Sequence, residues 1–328
     1  MPPFDSPAER RLLLWAAGGG LLYGVLARLF FGFQLGEDLF PLVSVAFLFL
    51  LPFALGFLVV ALGERHVGWP WYLWLVVPWG PALLTLGTAL VLAWEGLICI
   101  VLWLPLFMVL SSAGGLGAAL WRRIFRRVGV GAVAGCLLLP LVVAPVESRL
   151  ALPGEERAVR SAIDVRADPA TVWRHIAEVR RIAPEEQRFA WTHLIGFPRP
   201  LEALSLGEGV GAVRHARFAG GVLFVETITV WEPGRELRFS ISADPATIPA
   251  QTLDEHVTVG GPYFDVLDGE YRIEERPGGV RLHLQSRHRL STHFNFYSGA
   301  WTDLILADIQ RNILEIVRRR CELDAARR

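Results

Sequence analysis

Hydrophobic and polar positions divide this chain near residue 146: apolar, aromatic and Gly residues run almost unbroken before it, and charges recur every few positions after it. A helix needs about 20 mostly apolar residues to cross the hydrocarbon core of a bilayer. Five stretches meet that requirement, at 12–34, 39–62, 70–93, 96–120 and 128–146. Behind them the period changes. RAVRSAIDVRA (157–167) alternates like a strand, and Asp168 followed by Pro169 has the chemistry of an N-cap and a first helical position. PEEQRFAWTHLIG continues as a less regular helical stretch to Gly196, where Pro198 and Pro200 stop it. Strands follow at 211–218, 222–231, 235–243, 262–275 and 280–291, set apart by the turn signals AGG, EPG and RPGG, with a longer loop over 244–261. Trp301, Leu304, Ile305, Ile309, Ile313, Ile316 and Val317 then recur at helical spacing and predict a long terminal helix.

Composition sharpens this division. Lys and Arg together balance Asp and Glu at 32 each, and all of the former are Arg. That neutral sum hides a charge-poor first half and argues against nucleic acid as a partner. The first apolar run starts after Arg10 and Arg11 and leads into four more, so it predicts a retained span and not a cleaved signal peptide. Trp69, Trp71, Trp94 and Trp121 fall at span ends, where an indole meets both lipid and water. Arg28, inside the first span, is expected to snorkel or to face the bundle. WRRIFRR (121–127) has four Arg and no acid, which predicts a cytoplasmic loop, together with Arg10, Arg11, Arg65 and His66. Glu37, Asp38 and Glu95 then lie on the outer side, the N-terminus inside, and the C-terminal half outside the cytoplasm. The expected organisation is a multi-pass transmembrane domain at 1–146, a short linker at 147–156, and a ligand-binding domain at 157–328 that the linker keeps near the bilayer.

One strand, two short helices, a run of antiparallel strands and a long terminal helix form a recognisable order. With DVRADPATVWRHIAEV at its start and VTVWEPGRELRFSI in mid-sheet, the region over about 157–322 resembles the START-like superfamily of lipid-transfer proteins and polyketide cyclases. The resemblance implies a helix-grip fold, α+β, in which a curved antiparallel sheet wraps a long C-terminal helix around a deep cavity. It implies no shared catalytic signature, since that superfamily includes carriers, cyclases, hydrolases and regulatory modules.

Strand register points to the residues that line such a cup. Pairing Glu275 with Val280 across the RPGG turn sets Ile273 opposite Leu282, Tyr271 opposite Leu284, Gly269 opposite Ser286 and Leu267 opposite His288. Glu274 then meets Arg281 and Asp268 meets Arg287 on the other face, so apolar matches apolar and acid matches base. This register turns Tyr263, Asp265, Ser286 and His288 inward and makes Asp265 and His288 diagonal neighbours, close enough for a dyad. Across AGG it pairs Arg214 with Glu226 and Ala216 with Phe224; across EPG it pairs Val230 with Leu237 and Ile228 with Phe239. The candidate ligand-binding residues are therefore Arg214, Phe224, Glu226, Tyr263, Asp265, Tyr271, Ser286 and His288. Phe294, Phe296, Tyr297 and Trp301 join them from STHFNFYSGAW, either as a lid or as ordinary helix–sheet packing. Arg214, Glu226, Asp265 and His288 have an alternative as buried polar residues that satisfy one another and fix the register.

Three functions are consistent with this pattern. The first is binding of a hydrophobic small molecule or lipid at the bilayer surface. The second is a cyclase- or hydrolase-like reaction with His288 as general base and Asp265 orienting it. The third is a structural partnership with another membrane protein, whose identity the sequence leaves open. His215, His256 and His293 lack a metal-binding spacing, Cys99, Cys136 and Cys321 form no CxxC pair, and there is no nucleophile elbow or phosphate loop, so no metal or cofactor is expected.

Overall fold

The computed structural model describes residues 7–32, 39–64, 69–243 and 258–327. The chain forms two compact units, Met1–Leu152 and Pro153–Arg328. In the first, α1 (Pro7–Phe31) is followed by one π-helical turn (Ala46–Leu50) that runs into α2 (Leu51–Gly63). Then come α3 (Trp71–Val76) and α4 (Trp79–Val91), separated at Pro78, and α5 (Leu97–Phe125) and α6 (Val130–Glu147). Five helical runs, at 7–31, 46–63, 71–91, 97–125 and 130–147, are long and apolar enough to cross a membrane. Their positions follow the hydropathy of the sequence because nothing but apolar length is needed to specify them.

α2 is the centre of this unit and packs against α1, α4, α5 and α6. Small residues let α2 and α5 approach closely: a Cβ on Gly56 would overlap the Ser111 carbonyl, and one on Gly114 would overlap that of Phe53. Each end of the bundle is tied by charge. At one end an Arg122 nitrogen lies 3.2 Å from Glu64 Oε2, and Arg123 stands over the Trp74 ring at 5.0 Å. At the other, Arg28 Nε donates to Glu95 Oε1 (2.6 Å) and its Nη2 to the Trp94 carbonyl (2.8 Å). Arg28 thus faces a carboxylate of its own unit. The Glu147 carboxylate accepts from the amides of Val45 (2.7 Å) and Ala46 (2.9 Å), capping the helical run into α2. The WRRIFRR turn and the end of α6 lie at opposite ends of the unit. Trp69 is buried, unlike the interfacial indole expected there, whereas Trp71 is exposed. Glu37, Asp38, Arg65 and His66 fall outside the described residues.

The second unit has a helix-grip fold. Seven antiparallel strands curl in the order β1-β7-β6-β5-β4-β3-β2. They are β1 (Gly154–Val165), β2 (Pro200–Ser205), β3 (Val213–Phe218), β4 (Leu223–Glu232), β5 (Glu236–Ala243), β6 (Phe264–Arg276) and β7 (Gly279–Ser291). α7 (Pro169–Ala177) begins as expected, with the Asp168 side chain accepting from Thr171 N at 2.8 Å. The irregular helical stretch shrinks to one 3₁₀ turn (Pro184–Glu186) and α8 (Trp191–Leu194). α9 (Asn295–Ala326) crosses β1 and β7 and packs on α7. Its Leu314, Val317 and Cys321 close a core with Ile228, Leu237, Phe239, Tyr271, Leu282 and Leu284. Most of the loop expected over 244–261 lies outside the described residues.

The β6–β7 register follows expectation from Glu275↔Val280 through Gly269↔Ser286 and Asp268↔Arg287, and Arg287 Nε donates to Asp268 Oδ2 at 2.7 Å. There it departs. A β-bulge inserts Leu267 as an extra residue, so His288 stands opposite Val266 and Arg289 opposite Asp265. A similar shift between Ile228 and Val230 sets Trp231, and not Val230, opposite Leu237. Trp231 uses that place to meet Trp173 edge-on, with ring centroids 5.0 Å apart.

Candidate functional site

Two polar groups sit within the apolar concave face. The first arises because β3 and β4 pair as expected, Arg214 opposite Glu226. Both side chains are buried; Arg214 Nε donates to Glu226 Oε2 at 2.5 Å and Nη1 to the Ile176 carbonyl at 2.6 Å. The guanidinium also stands 4.4 Å from the centroid of the Phe239 ring, a cation–π contact. Phe239 lies against the glycine of the next strand, since a Cβ on Gly269 would come within 2.6 Å of its ring. Tyr271 completes this floor, buried and 6.2 Å from Phe239. Burial pushes the Tyr271 hydroxyl up to about 12. Burial also raises the Glu226 carboxyl above its ordinary range, against the opposing pull of Arg214. Along the same wall Phe218 and Phe224 meet edge-on at 5.1 Å, and both are only half-buried, as is Ile241. The floor is closed and charged; the wall above it is apolar and partly open.

The second group centres on His288, which is fully buried. The bulge at Leu267 removes the expected dyad. Asp265 turns to the outward face, where its carboxylate lies 4.0 Å from Arg289, and Phe264 takes the inward place 5.8 Å from the His288 ring. Thr302 Oγ1 donates to the Gly299 carbonyl, so His288 Nε2 donates to Thr302 at 3.1 Å, which leaves Nδ1 as the acceptor nitrogen. Asp303 Oδ1 comes within 4.0 Å of His288 Nε2, while Arg157 holds Asp303 through Nη2 at 2.5 Å. One residue pair further along the inward face, Gln310 Nε2 donates to Ser286 Oγ (3.0 Å) and to the Val159 carbonyl (3.1 Å). Two buried acceptors are then left without a donor, His288 Nδ1 and Gln310 Oε1. An orphan acceptor in a core is costly, and it marks a place where a water or a ligand hydroxyl fits.

The lid expected from STHFNFYSGAW is split. Phe294 is buried, Tyr297 and Trp301 are half-buried, and Phe296 is exposed. Tyr263 precedes β6, and its carbonyl accepts from Ser291 N at 2.9 Å. Gln310, Thr302 and Asp303 join the site from α9 without having been foreseen, because helical periodicity marks only apolar positions, and Arg157 joins from β1. An open cleft of about 760 Å³ lies elsewhere, between α7, the β2–β3 connection and the last turns of α9. Trp173, Trp231, Arg320 and Leu323 line it, together with none of the expected ligand-binding residues.

Burial holds the His288 imidazole below its ordinary value; Asp303 and Glu155 oppose this and Arg157 adds to it. His193, in α8, is likewise lowered by burial, with Arg199 adding and the Phe197 carbonyl and Asp308 opposing. A base whose folded pKa lies below its unfolded pKa takes up its proton more readily when unfolded. Both histidines therefore contribute stability that is complete above pH ~6.5 and is lost as pH falls below that value. Hydrogen exchange of the β7 and α9 amides should stay constant from pH ~7.5 to ~6.5, after correction for intrinsic rates, and accelerate toward pH ~5.5. His288→Gln should flatten part of that fall; an unchanged pH profile in this variant would remove His288 from the account.

No family model and no curated protein matches the sequence. Among solved structures, the chain is similar to the Zhui aromatase/cyclase from a Streptomyces species, with 17% identity over 53% of this chain and 96% of that one, TM-score 0.31. It is similar also to a protein from Thermus thermophilus (14% identity, 52% and 99% covered, TM-score 0.34). A third is the Aha1 dimer from Colwellia psychrerythraea (12%, 49% and 96%, TM-score 0.28). These are likenesses over about half of the chain, and the substrate of none of them transfers to it.

Proposed function

We propose that this is a membrane-anchored binding protein whose C-terminal unit holds a hydrophobic molecule, such as a lipid, against the concave face of its sheet. The observation that carries this reading is the half-buried wall of Phe218, Phe224 and Ile241 above the closed Arg214–Glu226 floor. An apolar wall with a few fixed polar groups is the usual make-up of a small-molecule site. The orphan acceptors His288 Nδ1 and Gln310 Oε1 favour a ligand that brings a hydroxyl or amide donor. The five apolar helices support anchoring in a bilayer, where such a ligand is concentrated. For catalysis, His288 retains its buried position and loses Asp265 as the orienting carboxylate.

Gentle purification of the full chain, solvent extraction and mass spectrometry test the reading. An apolar species should co-purify with the native chain and with Leu323→Ser, which alters the separate cleft, and should be lost from Phe224→Arg at an unchanged melting temperature. A native protein that carries nothing apolar beyond bulk lipid, or equal retention by Phe224→Arg, would overturn it.

A further inference from the structure

Between the 3₁₀ turn and β2, residues 188–197 lie across α9, tied to it by polar bonds. Arg188 N donates to Asn312 Oδ1 at 3.1 Å, and both N and Oγ1 of Thr192 donate to Asp308 Oδ2 (3.1 and 2.9 Å). Asn312 Nδ2 bonds His193 Nε2 at 3.2 Å. These bonds bury Ala190, Thr192 and Asn312 and turn the intervening side chains outward. Phe189 is 75% exposed and Leu194 63%. Leu304, one helical turn before Asp308 and on the same face of α9, is 57% exposed. Two large apolar side chains of the tied segment and one of α9 are thus presented to solvent.

Asp308 is engaged by Thr192, and the neighbours that remain free are cationic. Arg188, Arg199 and Arg311 are exposed, and no carboxylate lies within ion-pair distance of them among the described residues. Large apolar groups rimmed by unpaired Arg suit an interface of acyl chains and anionic headgroups, where the rings enter the boundary and the guanidinium groups stay with phosphate. The chain supplies the proximity. Between Glu147, the last residue of a membrane-length helix, and Pro153, where the second unit begins, five residues intervene, so the connection spans about 20 Å at most when extended.

From this we infer that the 188–197 segment and Leu304 form a docking surface for an anionic lipid bilayer, so that the C-terminal unit rests on the membrane that holds its own helices. The inference rests on the anchoring half of the proposed function and is independent of whether the concave face holds a ligand.

The test uses the full chain in nanodiscs of phosphatidylcholine with phosphatidylglycerol, or of phosphatidylcholine alone. A spin label is placed at Leu194→Cys, at Phe189→Cys, or at Arg272→Cys on the outward face of β6 as the control, each with Cys136→Ala. In phosphatidylglycerol discs the labels at 194 and 189 should lose contact with a water-soluble nickel complex and gain contact with oxygen, while the label at 272 stays open to nickel. The combined change Arg188→Gln, Arg199→Gln and Arg311→Gln, or removal of phosphatidylglycerol, should return both labels toward the control. Equal nickel access at 194, 189 and 272 in every disc would overturn the proposal. Labels shielded from both reagents would overturn it too, since they would show a protein, a second copy included, on this face. Mass spectrometry of the same discs reports the co-purified ligand, so loss of docking and loss of ligand are read separately.

Discussion

Exchanging Arg214 for methionine should destabilise the C-terminal unit by about 3–5 kcal/mol at neutral pH, the usual cost of removing one partner of a buried ion pair. The exchange keeps most of the aliphatic volume over Phe239 and removes three things at once. These are the bond to Glu226, the bond to the Ile176 carbonyl and the charge above the Phe239 ring. Glu226 is then buried with no counter-charge. Its carboxyl is already held above the ordinary range by burial, with Arg214 as the opposing influence. Without Arg214 only the upward push remains, so Glu226 takes up a proton nearer neutrality. The penalty should accordingly shrink as pH falls through that raised value. Replacing both residues, as Arg214→Met with Glu226→Leu, should recover most of the loss, because no charge is then left in the core. Hydrogen exchange of the β3 and β4 amides is the measurement. An Arg214→Met chain protected like the native one, or a double variant as damaged as the single, would show that the pair does not hold the floor of the cup.

The membrane-length unit has its own point of least tolerance. Gly114→Val should separate α2 from α5 and unfold or aggregate the unit in detergent. At this crossing the neighbour is a backbone carbonyl, of Phe53, and backbone within a packed helix cannot swing aside as a side chain does. Overpacking costs about 1–3 kcal/mol and more where nothing can yield. Gly56 meets the Ser111 carbonyl in the same way. By contrast Gly131 and Gly135 on α6 have no neighbour within 4 Å, and alanine there should be harmless. Thermal loss of monodispersity, compared across valine at 114 and 56 and alanine at 131 and 135, checks the claim. Similar behaviour of Gly114→Val and Gly135→Ala would refute it.

The helices of the first unit were legible because length and apolarity alone specify them, and β6–β7 pairing was legible as far as Asp268 because both faces constrain it. Beyond that point the strand has two nearly equivalent phases. Tyr263, Asp265 and Leu267 form one; Phe264 and Val266 form the other. An inward carboxylate in the first was itself the sign that the phase changes, since an extra residue at Leu267 sends Asp265 out and brings Phe264 in. β2 was missed because Pro198 and Pro200 resemble the end of a helix, yet Pro200 opens an edge strand, where a missing amide costs little. The His288 surroundings were half legible: β7 alternation gives His288 and Ser286, while Thr302, Asp303 and Gln310 reach them from α9, which no local pattern connects to β7.

The cap on α2 has a consequence for how the chain is made. The amides of Val45 and Ala46 wait for a carboxylate far downstream, at 102 and 101 positions' separation. Before α6 is made, those two amides have no Glu147 carboxylate to bond, so that end of the run must find its hydrogen bonds elsewhere. Only arrival of the last helix closes it. Glu147, the last residue of α6, therefore closes the start of that helical run only once the whole apolar unit has been synthesised.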